Sequence, residues 1–239
     1  MTAVAVAAVA VAAVGETADA VLARLIGTRF SCRAYLPQPV SRATLERLFT
    51  LARRTPSWCN TQPWQVSLVS GPALAQLGAA LFAAAAAGEP ARPDFAFPPG
   101  YAGVYRDRRK VCGVQLYRAL DIARDEPDRA REQSLENFRF FGAPHAAFIT
   151  TDAALGVYGL LDCGFYAMSL LLAAAAIGID SIAQAALASY PDVVRTQLGL
   201  GAGRHVVCGI SLGYGDHEHR INGYRTERAA PDESVAFVG

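Results

Sequence analysis

The sequence predicts an α+β domain of three layers, with a central mixed or antiparallel sheet flanked by helices, and three observations carry that expectation. Strand-like and helix-like patterns alternate along the 239 residues, but the strands are too few for a doubly wound parallel sheet. The uncharged run Cys163 to Ile179, between Asp162 and Asp180, is slightly short for a membrane span and reads as a buried core helix. A chain that is 52% hydrophobic and 18% charged is globular, and its length suits one compact domain or one domain with an inserted lid.

The elements follow in order. Ala18, Val21, Leu22, Leu25 and Ile26 recur at helical spacing up to Gly27 and predict one inward face. A short polar segment, Thr28 to Tyr35, comes next. Ser41 suits the N-cap of a helix whose inner face is Leu45, Leu48, Phe49 and Ala52. That helix must stop before Pro56, leaving a loop from Thr55 to Trp64. Gln65 to Ser70 alternates as a strand does, and Pro72 fits the first turn of a helix over Ala73 to Ala87. Pro, Gly and Phe interrupt residues 88 to 103, so a lid is expected over 88–110. Helices are expected over Val104 to Arg124 and Pro127 to Phe141, a buried strand over Ala146 to Thr150, and the core helix over Tyr158 to Ile177. Ser181 to Ser189 reads as a loop, Pro191 opens a short helix, and Val206 to Leu212 is the last interior strand before a polar loop and the tail Ser234 to Gly239. The Ala/Val-rich residues 1–15 lack the basic start of a secretory signal and read as a flexible arm ahead of the domain 16–239.

Composition narrows the function classes. A net charge of +1, from 22 basic and 21 acidic residues, offers no footprint for nucleic acid or an anionic membrane. Lys110 is the single lysine, so each arginine is argued from its place. The five cysteines form no CxxC pair, which points away from a metal site or disulfide framework and toward reduced thiols in the cytoplasm. The glycine-rich stretch Gly199 to Gly203 follows a helix and precedes a strand, the reverse of a dinucleotide-binding turn. His217-Glu218-His219 lies on a polar loop and reads as solvated, and Ser211 has no nucleophile elbow around it. The apolar share suits a homodimer with a large interface, or simply an alanine-rich chain.

Two constellations remain. In Arg29-Phe30-Ser31-Cys32-Arg33 an extended backbone would put Arg29, Ser31 and Arg33 on one side. Two guanidinium groups around a hydroxyl suit a phosphate, although a solvated basic turn has the same pattern. The loop from Thr55 to Trp64 joins two prolines and two tryptophans to Asn60 and Gln62. Stiff backbone and amide donors suit the polar edge of a heterocycle, or a rigid loop capping the core.

Their combination, R-x-S-x-R, a helix, then P-S-x-x-N-x-Q-P-W, resembles the FMN-dependent nitroreductase family, in its nitrobenzoate-reductase-like branch. Phe140-Phe141-Gly142-Ala143-Pro144, Gly178-Ile179-Asp180-Ser181 and Gly213-Tyr214 through Arg228 extend the resemblance over residues 20 to 239. It implies a homodimer that exchanges its C-terminal segments, binds FMN, and passes electrons from NADH or NADPH to nitroaromatic, quinone or similar small acceptors by ping-pong kinetics. Arg29, Phe30 and Ser31 would hold the phosphate with Arg228 and Arg225, the latter standing in for a basic residue that is Thr226 here. Arg33 would face the pyrimidine side, where a cation supports the charge of the reduced ring. Pro56, Ser57 and Asn60 would reach the cofactor from the partner subunit, and Ala183, Gln184 and Ala185 would lie under the ring. The flavin itself performs the chemistry, so no side chain is expected to be catalytic. Trp58 is the expected substrate wall, and Arg108 or Arg109 the partner of a substrate anion, or else part of a solvated helix face. The same framework is compatible with an oxidase, a reductive dehalogenase, a flavin-consuming enzyme, or a non-catalytic flavin-binding dimer.

Overall fold

The computed structural model describes residues 15–239. The arm expected over residues 1–15 lies outside them except for Gly15.

Four strands form one antiparallel sheet in the order β1-β2-β4-β3, with β1 at Gln65–Ser70, β2 at His145–Asp152, β3 at Asp180–Gln184 and β4 at Arg204–Gly213. β2 lies inside the sheet and packs helices on both faces, so its whole length up to Asp152 is buried. Ala147 and Ile149 point to one cluster, with helices α2 (Arg42–Ala52) and α6 (Gly156–Ala176), while Ala146 and Phe148 point to the other, with α3 (Gly71–Ala86) and α7 (Pro191–Leu198). This period-two split makes the three layers. A register shift at Ile149/Thr150 puts Val206 on the opposite face from Ile210 and Leu212, as one extra residue in a strand must.

Local chemistry sets several of the helix ends. The Ser41 Oγ accepts from the Thr44 N–H at 3.1 Å and opens α2. Gly199, left-handed at φ 63, closes α7. Helix α4 (Gly103–Ala119) stops short of the expected Arg124 because the chain turns at Asp121 (φ 50), where Arg129 donates to the carbonyls of Leu120 and Asp121. The next helix, α5 (Pro127–Leu135), gives way to a 3₁₀ stretch over Glu136–Gly142 in place of the single helix expected to Phe141. Phe140 and Phe141 are left-handed there (φ 57 and 53), a strained state for aromatic residues. Burial of Phe138 and Phe140 against α3 and β2 offsets it. A side chain on Gly78 would come within 2.9 Å of the Phe140 ring, so the ring occupies the place that glycine leaves.

Two expectations are corrected. The stretch expected as a loop from Ser181 begins as β3, paired with Gly209–Gly213 of β4, and only Ala185–Ala188 is a turn. Helix α1 (Ala18–Thr28) buries none of its residues fully: on the expected inward face Val21 and Leu25 are half-buried, while Leu22 and Ile26 are each 50% exposed. The core helix is likewise half covered. α6 buries Cys163, Tyr166, Leu170 and Leu171 but leaves Val157, Tyr158, Leu161, Phe165 and Met168 in water. α1 packs beside α6, so these exposed apolar residues lie on neighbouring helices.

Candidate active site

The polar segment after α1 docks along the free edge of β3. Ser31 bridges Ser181 in parallel fashion, and the Cys32 N–H donates to the Ser181 carbonyl at 3.2 Å. This edge and the segment from Asn222 to Arg228 bring together Arg29, Arg33, Arg225 and Arg228. Burial first, and the charge of Arg228 second, lower the Arg29 pKa from its usual value. The Arg33 guanidinium donates to the Ser31 carbonyl (3.1 Å) and lies over the Tyr224 ring, 5.9 Å from its centre. Arg225 donates to the carbonyls of Asn222 (2.7 Å) and Tyr224 (2.9 Å) and lies 4.0 Å over the Phe30 ring. Arg228 bonds only to Thr226 and to the Glu227 carbonyl. Among the described residues none of the four makes an ion pair, whereas Arg24, Arg42, Arg106, Arg108, Arg129, Arg139, Arg195 and Arg220 all do. Guanidinium groups gathered without counter-charge form a site for an anion, and their paired N–H groups match phosphate oxygens. The donor set therefore fits the phosphate of FMN.

β3 forms the floor next to this cradle. Ala183 and Ala185 are exposed, but the Gln184 side chain turns inward: its Nε2 donates to the Asn137 carbonyl at 3.0 Å and its Oε1 accepts from the Ser211 Oγ at 2.5 Å. Of the three residues expected under the ring, Gln184 thus has only its backbone to offer. The adjoining turn is seated by Gly209 of β4, where a side chain would stand 2.4 Å from a Leu187 methyl carbon.

The loop from Thr55 to Trp64 is built elsewhere. Cys59, Asn60 and Gln62 are left-handed at φ 50, 55 and 47, and strain of this kind persists only where the surroundings fix the backbone. Those surroundings are Ser57, whose Oγ accepts from the Gln62 N–H at 2.9 Å, and Asp162 of α6, whose buried carboxylate accepts from the Trp58 N–H at 3.1 and 3.3 Å. Trp58 is exposed and meets Tyr158 edge to face at 4.2 Å, so the loop continues the apolar face of α1 and α6. Pro56 and Asn60 are also exposed. Among the described residues no hydrogen bond or ion pair joins this loop to Arg29, Ser31 or Arg33.

The region expected as a lid is tied down at its start. Asp94 accepts from Arg195 and from the Val206 N–H, both at 2.7 Å, and the Arg92 N–H donates to the Ser189 carbonyl at 2.9 Å. The two arginines proposed for a substrate anion part company. Arg108 pairs with Glu233 at 3.0 Å, while Arg109 lies 5.4 Å over the Tyr101 ring with no carboxylate partner among the described residues. His217, expected to be solvated, is exposed, with its Nε2 3.1 Å from Asp180 and its ring edge-on to Phe30. His145 is buried between the Val40 N–H, which donates to Nε2 at 2.9 Å, and Ser70 at 2.5 Å; desolvation pulls its pKa below the usual value.

Two functional residues escape sequence reasoning. Asp162 looks like a mere flank of the apolar run, and Asn222 belongs to no pattern. Both act through contacts more than a hundred residues away, and no local signal announces them.

Comparison with known proteins gives the family. Residues 26–214 match the Nitroreductase family. The chain is 42% identical over 228 residues to the nitroreductase NfnB of Mycolicibacterium smegmatis, covering 93% of this chain and 96% of that protein. It is 33% identical over 217 residues to a 4-nitrobenzoate reductase of Pseudomonas putida, covering 90% and 94%. The crystal structure of the FMN-dependent NfnB from Mycobacterium smegmatis in complex with NADPH superposes with a TM-score of 0.89 at 39% identity, covering 93% of this chain and all of that one. The FMN- and NADPH-dependent NfnB of a Sphigopyxis strain gives a TM-score of 0.88 at 32% identity, covering 91% and 98%. The chain belongs to the nitroreductase family.

Proposed function

We propose that the chain is a homodimeric FMN enzyme that carries electrons from NADPH or NADH to nitroaromatic and related small acceptors. The observation that carries this reading is the cradle of Arg29, Arg33, Arg225 and Arg228, none of which makes an ion pair among the described residues. The relatives' dependence on FMN and NADPH supports it.

Bound FMN supplies two-electron transfer, accepting from the nicotinamide and delivering to the acceptor in turn. The protein's part is binding, orientation and charge. Arg29, Ser31, Arg225 and Arg228 hold the phosphate, with Phe30 buried beneath the Arg225 guanidinium. Arg33, held by its bond to the Ser31 carbonyl, supports negative charge on the pyrimidine side. Ala183 and Ala185 leave a low bed at the floor, stiffened by the inward amide of Gln184.

We read the loop and the cradle as the two halves of a shared pocket. Pro56, Ser57 and Asn60 complete the partner's site while Leu22, Ile26, Tyr158, Leu161, Phe165 and Met168 bury against the same partner. Each of these side chains is about half exposed and forgoes roughly half of the 1.5–3 kcal/mol that full burial of such a side chain contributes. The tail, with Phe237 and Val238 almost fully exposed, reaches across in exchange. Trp58 walls the acceptor site. Within the lid, residues 96–110 are the moving part beyond the Asp94 anchor, and they bring Arg109 to the carboxylate of a nitrobenzoate. The five unpaired thiols support a reducing cytoplasm.

The purified protein is expected to be yellow and to release FMN on heating. Under anaerobic conditions NADPH or NADH should bleach it, and 4-nitrobenzoate should restore the colour. A colourless protein that ignores added FMN would refute the reading.

A further inference from the structure

The phosphate cradle is assembled from two stretches of chain, Arg29–Ala34 and Asn222–Arg228, and one buried side chain ties them together. Asn222 is 3% exposed. Its Oδ1 accepts from the Arg33 N–H at 2.8 Å, while its Nδ2 donates to the carbonyls of Ala34 at 2.9 Å and Asp216 at 2.8 Å. One acceptor faces an N–H and two donors face carbonyls, so only this amide orientation satisfies every group. Its own carbonyl accepts from the Arg225 guanidinium at 2.7 Å. A single residue thus touches the backbone of one cradle arginine and the head of another, across 189 residues of sequence.

We infer that Asn222 is the positioning residue of the cradle, fixing Arg33 and Arg225 relative to each other before the cofactor arrives. The inference rests on the FMN reading above. Like charges gathered without ion pairs repel one another, and in an empty site that repulsion would push the two stretches apart. A neutral amide resists that splaying through its hydrogen bonds. A carboxylate at the same place would attract the guanidinium groups and cancel the charge meant for phosphate. It would also face two carbonyls with no proton to give. This is the physical reason for Asn, and not Asp, at position 222. Pre-organisation of this kind raises affinity by sparing the ligand the cost of ordering its site.

The test compares the wild type with Asn222→Ala and with Thr150→Ala. Thr150 is equally buried but is bonded to Gln65 and Arg204, outside the cradle. Three quantities are measured on each: the FMN Kd, from flavin fluorescence on dilution of the holoprotein; the midpoint potential of bound FMN; and the unfolding temperature of the apoprotein. Asn222→Ala should raise the Kd on the order of tenfold and lower the potential, because Arg33 loses its anchor. Thr150→Ala should lower the unfolding temperature and leave the Kd and the potential alone. If Asn222→Ala does not fold, the isosteric Asn222→Asp takes its place and should weaken FMN at least as much. The inference is overturned by an unchanged Kd, by an unchanged potential, or by equal losses of affinity in the Thr150 control. Either of the first two results in a yellow wild type leaves the FMN reading standing, while a wild type that binds no FMN brings both down.

Discussion

Arg29 and Arg228 share a cost that only an anion repays. Each lies in the other's field, and Arg29 is desolvated as well. Removing either charge is therefore expected to act on cofactor binding and not on the flavin-loaded enzyme. Arg29→Ala and Arg228→Ala should each cost about 1.5–3 kcal/mol, or on the order of tenfold to a hundredfold in FMN affinity, with the rate at saturating FMN little changed. Arg33→Ala should retain its flavin and reduce it more slowly, which stopped-flow mixing with NADPH reads directly. If all three variants lost affinity alone, Arg33 would belong with the phosphate group. At this scale Arg29, Ser31 and Arg33 were legible because extended backbone puts alternate residues on one side, and Ser31 does sit on a strand edge. Gln184 was named for its place under the ring, but the inward turn of its side chain and the contacts of Asn222 were not legible. An amide reads the same in sequence whether it faces solvent or closes a network with Ser211 and Asn137.

Among the elements, legibility followed the strength of the local pattern. Gln65–Ser70 alternates and ends at a glycine, and the strand has those bounds. β3 is short, lies beside β4 and runs straight into a turn, so Ala-rich sequence with no alternation hid it. The lid is the element whose behaviour matters most. Its first residues are pinned through Asp94 and Arg92, while α4 buries no residue fully and is exposed from Gly103 to Cys112. An element with few buried contacts opens at low cost, so motion is expected between Phe97 and Lys110 and not before. Arg109 travels with that motion, whereas Arg108 is held to the tail by Glu233. Arg109→Ala should raise KM for 4-nitrobenzoate several-fold and leave KM for nitrobenzene unchanged, since only the first carries a carboxylate; an exposed ion pair contributes about 0.2–1 kcal/mol and a closed one more. Equal effects on both acceptors would return Arg109 to a solvated helix face.

For the whole molecule, the exposed apolar face of α1 and α6 and the strained loop beside it demand a common account. The face was misread in sequence because periodicity reports that a helix has an apolar side, and not which chain covers it. Trp58 packs on Tyr158 within that face, and Asp162 holds the loop to α6, so a partner that covers α6 also meets Pro56, Ser57 and Asn60. The shared-site proposal then makes a demanding prediction. Suppose Arg29→Ala and Asn60→Ala each abolish tight FMN binding when made alone, because every site of either homodimer carries one defect. A mixed dimer of the two variants contains one site with both defects and one with neither. Isolated through two different tags, it should bind about one FMN per dimer and recover roughly half of the wild-type activity, as expected for independent sites in a two-fold dimer. If Arg29 and Asn60 served the same site from one chain, every site in the mixed dimer would still carry a defect and nothing would recover. A folded mixed dimer without activity would thus remove the shared site and leave the FMN cradle intact, since the cradle depends on Arg29, Arg33, Arg225 and Arg228 of a single chain.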